Sequence, residues 1–294
     1  MSLGFVLASI EQGMLYGIMA LGVYMTFRIL NYADLSVDGS LPLGAAVSAR
    51  LIIAGVNPII SVFAAVAAGA LAGGMTGFLN TRLKITGLLS GILTMSSLYS
   101  INLRIMGRSN IPLLQQPTVF GLAADVFGGS RAVSFLLLGI IELGVMLFMY
   151  CFLRTQVGFA LRASGDNPQM VRSLGVNTDN MKLLGLVISN AIVSLSGALA
   201  GQYMGFADVG MGIGTVVAGL ASVIIGEVLV GKRGIGFAIV GVAVGSIVYR
   251  LCISLALSYG FAASDLKLMT ALLVIIALSA PNIKRAVFAV AVRE

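Results

Sequence analysis

The sequence has no histidine, only two cysteines and few charged residues. Charged side chains make up 10% of the 294 residues, whereas a typical soluble domain carries about 25%. Hydrophobic residues account for 59%, and the mean hydropathy is +1.04. A single core could not hide so much apolar surface, so part of it must face lipid. Because the apolar stretches are continuous rather than alternating, we expect an all-α, polytopic membrane protein and not an outer-membrane barrel.

The lack of histidine also limits the chemistry of the chain. It excludes histidine acid–base pairs, histidine metal ligands and histidine-bound haem. Cys151 and Cys252 both fall in apolar runs, so we expect small buried residues and no disulfide or metal framework. The net charge of +7 comes from basic residues scattered between apolar runs, which is typical of membrane orientation and not of nucleic-acid binding. No catalytic residue, metal site or nucleic-acid partner is predicted.

Nine membrane spans are predicted, within a range of eight to ten. They are residues 5–30, 35–55, 58–79, 86–106, 131–153, 183–203, 215–231, 235–257 and 268–281. The longest stretches between them, 107–130 and 154–182, are too short for a nucleotide-binding or catalytic domain of ordinary size. We therefore expect one transmembrane domain, 1–294, with a loop at 154–182.

The distribution of Lys and Arg predicts how the chain is oriented. With residues 154–182 in the cytoplasm, twelve of the 18 Lys and Arg residues fall on the cytoplasmic side and six on the other. Cytoplasmic loops of membrane proteins carry such an excess. The N-terminus is therefore expected outside and the C-terminus in the cytoplasm.

A short helix is predicted inside the cytoplasmic loop, within the segment that runs from Arg162 to Asn177. Asp166 or Asn167 can cap its N-terminus, and Gly175 suits its C-terminal cap. Its apolar edge consists of Met170, Val171 and Leu174. A helix of about two turns is unstable alone, so the membrane face or a groove in a partner must hold it. A plain surface helix is the alternative.

This segment resembles the coupling helix of ATP-binding-cassette importer permeases, and more closely that of the ribose and branched-chain amino acid permease family. Ala33-Asp-Leu-Ser-Val-Asp-Gly-Ser40 is similar to a signature of the sugar-type members. Gly219-Leu-Ala-Ser-Val-Ile-Ile-Gly-Glu227 looks like a late span of the same permeases. The run 181–226 looks closest to the tryptophan/tyrosine-type branch, and the resemblance as a whole covers about 13–282.

The resemblance implies a transport subunit and not an enzyme. The chain would pair with a second permease copy, as a homodimer, in the bacterial inner membrane. Two cytoplasmic ATPase subunits would bind ATP and Mg, this chain itself would bind no cofactor, and an extracytoplasmic binding protein would deliver the substrate. The resemblance to the tryptophan/tyrosine-type branch implies an amino acid as substrate, with an aromatic one favoured. Asp38 stands where sugar-type members have Gly, which disfavours a sugar. The coupling residues implied are Arg162, Asp166, Asn167, Met170, Val171, Leu174 and Gly175.

Polar side chains within the spans are candidates for a substrate path. They are Thr94, Ser97, Tyr99 and Asn102 in span four, Asn190 in span six, and Asp34, Asp38 and Asp208 at the starts of spans two and seven. Hydrogen bonding between helices is the alternative for the first five, and local capping is the alternative for the three aspartates.

Two similar short sequences stand at the starts of two spans. Ala33-Asp-Leu-Ser-Val precedes span two, and Ala207-Asp-Val-Gly-Met precedes span seven. The predicted topology puts them on opposite sides of the membrane, which is the pattern of an inverted repeat with broken helices.

Glycines four residues apart predict tight helix crossings. The sets are Gly69, Gly73 and Gly77, then Gly197 and Gly201, then Gly241 and Gly245.

Two further functions compete with an ATP-driven permease. An ion-coupled secondary transporter would need ionisable groups near the midplane, for which Glu11 and Glu142 are the candidates. Glu227 is expected to pair with Lys232, a turn away. An intramembrane enzyme is disfavoured, because the chain has no histidine and no evident pair of nucleophile and base.

Overall fold

A computed structural model describes residues 3–128, 131–231 and 234–258, together with residues 268, 270–272 and 275. The helices in these ranges are α1 Leu3–Tyr24, α2 Val37–Ile53, α3 Pro58–Thr81, α4 Gly87–Met106, α5 Val119–Phe127, α6 Arg131–Arg154, α7 Gln156–Asp166, α8 Pro168–Ser173, α9 Thr178–Met204, α10 Thr215–Val230 and α11 Ile235–Ser258. A π-helical turn, Met25–Ile29, continues α1, and a 3₁₀ helix, Val209–Gly212, precedes α10.

Six helical segments of the described chain are long and apolar enough to cross a membrane. They are Gly4–Ile29, Pro58–Thr81, Ala132–Arg154, Thr178–Met204, Val209–Val230 and Ile235–Ser258. The chain is therefore a multi-pass membrane protein. Of the other predicted spans, α2 is only 17 residues long, α4 is rich in polar side chains, and 268–281 falls largely outside the described residues. The count of nine stays a prediction.

Most predicted span bounds lie within two residues of the helix bounds, but α9 begins at Thr178, five residues before the predicted start, and the mostly helical fold also contains strands. Two short strands, β1 Asn110–Pro112 and β2 Phe206–Asp208, pair antiparallel with Ile111 opposite Ala207. Three-residue strands are too short to show an alternating pattern in the sequence. The fold is mostly helical with one small β-ribbon.

Helix α9 lies among α1, α2 and α3, and its serines bind the backbones of its neighbours. Ser194 Oγ donates to the Ala65 carbonyl of α3 at 2.7 Å. Ser196 Oγ donates to the Leu15 carbonyl of α1, also at 2.7 Å. In an apolar surrounding such bonds satisfy groups that water cannot reach. These serines therefore connect helices.

Small residues let these helices approach closely, as the glycine spacing predicts. A Cβ on Gly69 or Gly73 of α3 would overlap the backbone of α9 at Asn190 or Leu186. Gly197 of α9 in turn lies against the backbone of α2. The glycine sets of α3 and α9 therefore mark tight crossings, and Gly241 and Gly245 do the same between α11 and α10.

The bundle has two ends that differ in structure. The loop end carries residues 155–177, and the ribbon end carries β1 and β2. Three ion pairs lie at the loop end among the described residues: Lys84 with Asp179 at 2.9 Å, Arg172 with Asp179 at 3.5 Å, and Arg28 with Glu227. Glu227 thus pairs with a residue far along the chain, whereas Lys232, the expected partner, lies outside the described residues.

Helices α3 and α6 turn large apolar side chains outwards, as lipid-facing helices do. Phe63 and Leu71 on α3 are exposed, as are Ile140 and Leu143 on α6. Cys151, which we expected to be buried, is also exposed, on α6. A small apolar residue is suited to such a face, so the error does not change its chemistry.

Candidate substrate path and coupling loop

The chain enters the bundle from the loop end as an irregular segment, residues 31–36, before α2 begins. Tyr32 lies beside the start of α4, where its hydroxyl donates to the Gly87 carbonyl at 3.0 Å. Asp34 accepts from the Ser36 N–H and from Asn190 Nδ2, each at 2.9 Å. Ser40 Oγ donates to Asn190 Oδ1 at 2.6 Å. Asn190 is near the midpoint of α9, so α2 starts about halfway across the bundle.

A second irregular segment enters from the ribbon end and leads into α10. Asp208 Oδ1 accepts from the Gly210 N–H at 2.7 Å, and Asp208 Oδ2 accepts from Asn110 Nδ2 at 3.1 Å. Asp34 and Asp208 thus each accept the N–H two residues further on, which is an Asx turn. The two similar sequences, which begin at Ala33 and Ala207, therefore share this local structure.

The starts of α2 and α10 meet at Asp38. Its carboxylate accepts from the Val216 N–H and Thr215 Oγ1, each at 2.8 Å, and from the Gly214 N–H at 3.1 Å. Asp38 therefore caps α10 although it belongs to α2. Gly212 packs on the Asp38 carbonyl and the Pro42 ring so closely that a Cβ there would overlap both. A carboxylate at a helix N-terminus is stabilised by the helix dipole.

A cavity of about 350 Å³ opens beside this junction. It is lined by Asp38, Gly39, Pro42, Met95, Ser96, Tyr99, Asn102, Val209 and Ile213. Sites for small molecules have volumes of about 300–1,000 Å³, so the cavity can hold a small solute. Near the middle of a membrane protein, a cavity with polar groups is a candidate binding site.

Helix α4 presents polar side chains on its exposed face, unlike α3 and α6. Ser96, Ser97 and Ser100 are exposed, and Tyr99 is 55% exposed. Asn102 is buried, and its Nδ2 donates to the Gly39 carbonyl at 3.2 Å. Lipid hydrocarbon offers no partner for such hydroxyls. The exposed face of α4 is therefore suited to water or to protein.

The structure divides the predicted path residues into two groups. Three of them line the cavity: Asp38, Tyr99 and Asn102. The other five do not: Thr94, Ser97, Asn190, Asp34 and Asp208. Asp34 and Asn190 bind each other, Asp208 caps the 3₁₀ helix, Thr94 is buried, and Ser97 lies on the exposed face of α4.

The remaining lining residues escaped the sequence analysis because most of them are apolar. Pro42, Met95, Val209 and Ile213 look like ordinary residues of a span or its flank. The only feature of the sequence that could have indicated them is that they lie within a few residues of predicted path residues.

The loop of residues 155–177 contains two helices, α7 and α8, rather than one. Asn167 forms the predicted N-cap, since its Oδ1 accepts from the Met170 N–H at 3.1 Å. Asp166, the other capping candidate, is instead the last residue of α7. Gly175 adopts a φ of +83°, as the predicted C-terminal cap requires.

The predicted apolar edge of this helix is split. Val171 is only 3% exposed, whereas Met170 and Leu174 are 61% and 71% exposed. Val171 thus anchors α8 to the bundle while the other two point away. Arg172 Nε donates to Thr178 Oγ1 at 2.7 Å, which links α8 to the first turn of α9.

Helix α7 adds two exposed apolar side chains to the same loop, Val157 and Phe159. We call these two residues, with Met170 and Leu174, the loop patch. Arg162 stacks near the Phe159 ring, with its guanidinium carbon 5.4 Å from the ring centre. Large apolar side chains exposed together outside the spans are typical of an interaction surface.

A bundle of apolar helices, with two interrupted helix starts around a central cavity, defines an integral membrane transport protein. The chain belongs to the family described as the permease component of branched-chain amino acid transport systems, whose model matches residues 5–279. It is accordingly a transport subunit rather than an enzyme.

Several curated proteins are similar over most of their length. A tyrosine transport system permease protein of Clostridioides difficile is 42% identical over 95% of this chain and 92% of its own length. An uncharacterised protein of Rickettsia prowazekii is 33% identical over 96% and 99%. The ribose import permease protein of Escherichia coli is 27% identical over 81% and 73%.

One solved structure shows the same fold. PsaBC from Streptococcus pneumoniae, in complex with a Fab, superposes with a TM-score of 0.56 over 92% of this chain and 89% of the other. The sequence identity is 16%, so the likeness concerns the fold alone.

Proposed function

We propose that this chain is the membrane-spanning subunit of an ATP-driven importer and forms the path for an amino acid, with tyrosine favoured. The observation that carries the proposal is the loop patch, an apolar surface outside the spans that a partner must cover. The family match and the 42% identity to a tyrosine transport permease support the same function.

The proposed topology has nine spans in the bacterial inner membrane. The loop end lies in the cytoplasm, because it gathers basic residues such as Arg28, Lys84 and Arg172, which are common on that side. This puts the N-terminus outside and the C-terminus in the cytoplasm. The ribbon end then faces outwards.

The proposed assembly contains two copies of this chain, two ATPase subunits and an extracytoplasmic binding protein. The ATPase subunits dock on the loop patch of each copy, and ATP and Mg bind to the ATPase subunits and not to this chain. The polar face of α4 faces the second copy across the path between them, because lipid cannot satisfy its hydroxyl groups. The binding protein docks at the ribbon end and delivers the substrate.

The contacts of α9 provide a route from the loop to the cavity. Arg172 of α8 bonds to Thr178 at the start of α9. Asn190 of α9 bonds to Asp34 and Ser40, which hold the start of α2. A movement of α8 would therefore reach the segment that carries Asp38.

Co-purification with the ATPase tests the proposed assembly. The chain is co-expressed with candidate ATP-binding-cassette ATPase subunits from its own organism, purified through a tag on the chain, and assayed for ATP hydrolysis. We expect the ATPase to co-purify and the hydrolysis rate to rise when binding protein and tyrosine are added. A chain that purifies alone and takes up solute under an ion gradient would instead be a secondary transporter.

A further inference from the structure

We propose that the central cavity is an ammonium-binding site, in which Asp38 and Asn102 accept the N–H groups of a small amine or zwitterionic amino acid. The inference rests on the proposed function, since it names the chemical group by which the path would select its substrate. Two acceptors on the cavity wall and the charge of the lining carry it.

Asp38 has acceptor capacity left after it caps α10. A carboxylate has about four lone-pair sites. Three of them are used by Gly214, Thr215 and Val216. Asp38 is only partly buried and lines the cavity. One acceptor position therefore remains for a ligand.

Asn102 supplies the second acceptor, and the evidence for it is independent of that for Asp38. Its side chain is fully buried and lines the cavity. Because the Gly39 carbonyl can only accept, the amide nitrogen must face it, and Oδ1 then has no hydrogen-bond partner among the described residues. Leaving a buried acceptor unpaired is costly. A donor from a bound solute would satisfy it.

The charge of the cavity favours a cation over an anion. Asp38 is the only charged residue in the lining, which contains no Lys or Arg. The N-terminus of α10 contributes about half a positive charge, so the carboxylate is only partly offset. A solute whose only charged group is anionic would be repelled here, and a solute with an ammonium group beside the carboxylate of Asp38 would be attracted.

The rest of the cavity suits an apolar body attached to the ammonium group. Pro42, Met95, Val209 and Ile213 give it apolar walls. The ring of Tyr99 offers a face that can also attract a cation. The volume of about 350 Å³ fits a solute of amino-acid size.

Ligand binding to the purified permease tests the site without the binding protein, which could impose its own selectivity. The probes are tyrosine, tyramine and 3-(4-hydroxyphenyl)propionate, which share the phenol and differ in their charged groups. The wild-type chain should bind both amines at least about tenfold more tightly than the acid.

Asp38→Asn is the decisive variant, because it removes the charge and keeps one oxygen that can still accept from Thr215 and Val216, although the bond from the Gly214 N–H is lost. It should remove the preference for amines, because the amines lose an attracting charge and the acid no longer meets a repelling one. Asp208→Asn is the matched control, since Asp208 also caps a turn but does not line the cavity. It should keep the preference.

Three results would overturn the site: equal binding of amine and acid by the wild type, no amine binding at millimolar concentration, or an amine preference that survives in Asp38→Asn. If the Asp38→Asn variant fails to assemble, the affinities of the wild-type chain for the amines and for the acid decide whether the site exists. ATP-driven tyrosine uptake by the wild-type complex is measured in parallel. Its absence contradicts the proposed function, whereas uptake without an amine preference overturns only the ammonium site.

Discussion

At the scale of single residues, two adjacent glycines of α3 have opposite surroundings. A Cβ on Gly73 would overlap the Leu186 carbonyl of α9. A Cβ on Gly74 would meet only the Val187 side chain, at 3.7 Å. The spacing of glycines in the sequence predicts the crossing but cannot tell which neighbour has room, because that depends on how α9 is rotated.

We predict that Gly73→Ala destabilises the protein by about 1–3 kcal/mol, because the helices must separate. Gly74→Ala is the control and should be neutral or stabilising by about 0.5–1 kcal/mol, since Ala favours the helix. The midpoint of thermal unfolding in detergent measures both. Equal midpoints for the two variants would contradict the tight crossing.

Asn190 offers a second residue-scale prediction. Its side chain satisfies buried Asp34 and accepts from Ser40. Asn190→Ala leaves the carboxylate without this donor, so we expect a loss of about 1–3 kcal/mol in stability.

Asn180→Ala is its control, because Asn180 is exposed on the same helix. It should change the stability by less than about 0.5 kcal/mol. The same thermal assay compares the two, and a stable Asn190→Ala protein would show that the buried network contributes little.

At the scale of elements, the exposed part of the loop should couple ATP hydrolysis to transport. Leu174→Asp places a charge in the loop patch, where docking would bury it without a partner. We expect ATP-driven uptake to fall by about tenfold or more while the chain remains folded. Uptake by the mutant complex in vesicles, with folding checked by gel filtration, measures this.

Leu114→Asp is the matched control, since Leu114 is 78% exposed next to β1, at the opposite end of the bundle. It should leave co-purification with the ATPase unchanged, whereas Leu174→Asp should weaken it. If Leu174→Asp transports normally, the loop patch does not hold the ATPase.

The polar face of α4 gives another element-scale prediction. Ser97→Trp should reduce uptake by about tenfold or more without blocking assembly, because the bulky ring would obstruct the path between two copies. Leu71→Trp, on the lipid-facing side of α3, should have no such effect. Normal uptake by the Ser97 variant would place this face away from the path.

Most long helices could be predicted from their apolar length, and α3, α10 and α11 begin at the predicted residue. The two-stranded ribbon and α5 were missed, because elements this short leave little periodic signal. The start of α2 was predicted two residues early. The irregular segment before it has the same mixture of polar and apolar residues as the first turn of the helix, so the sequence does not mark the boundary.

At the scale of the whole molecule, the candidate site depends on contacts that the sequence does not reveal. Asp38 bonds to Val216 although the two are far apart in the chain. A local pattern predicts that such an aspartate caps its own helix, and only the folded bundle shows that it caps another. The same limit applies to the loop patch, because burial of Val171 depends on the bundle beneath it.

ATP-dependent accumulation of radiolabelled tyrosine tests the central claim most directly. Vesicles contain the chain with its ATPase, and binding protein is added outside. We predict accumulation that needs ATP inside the vesicle, the ATPase and the binding protein together. Accumulation by the chain alone under a sodium or proton gradient, with no effect of ATP, would contradict the account.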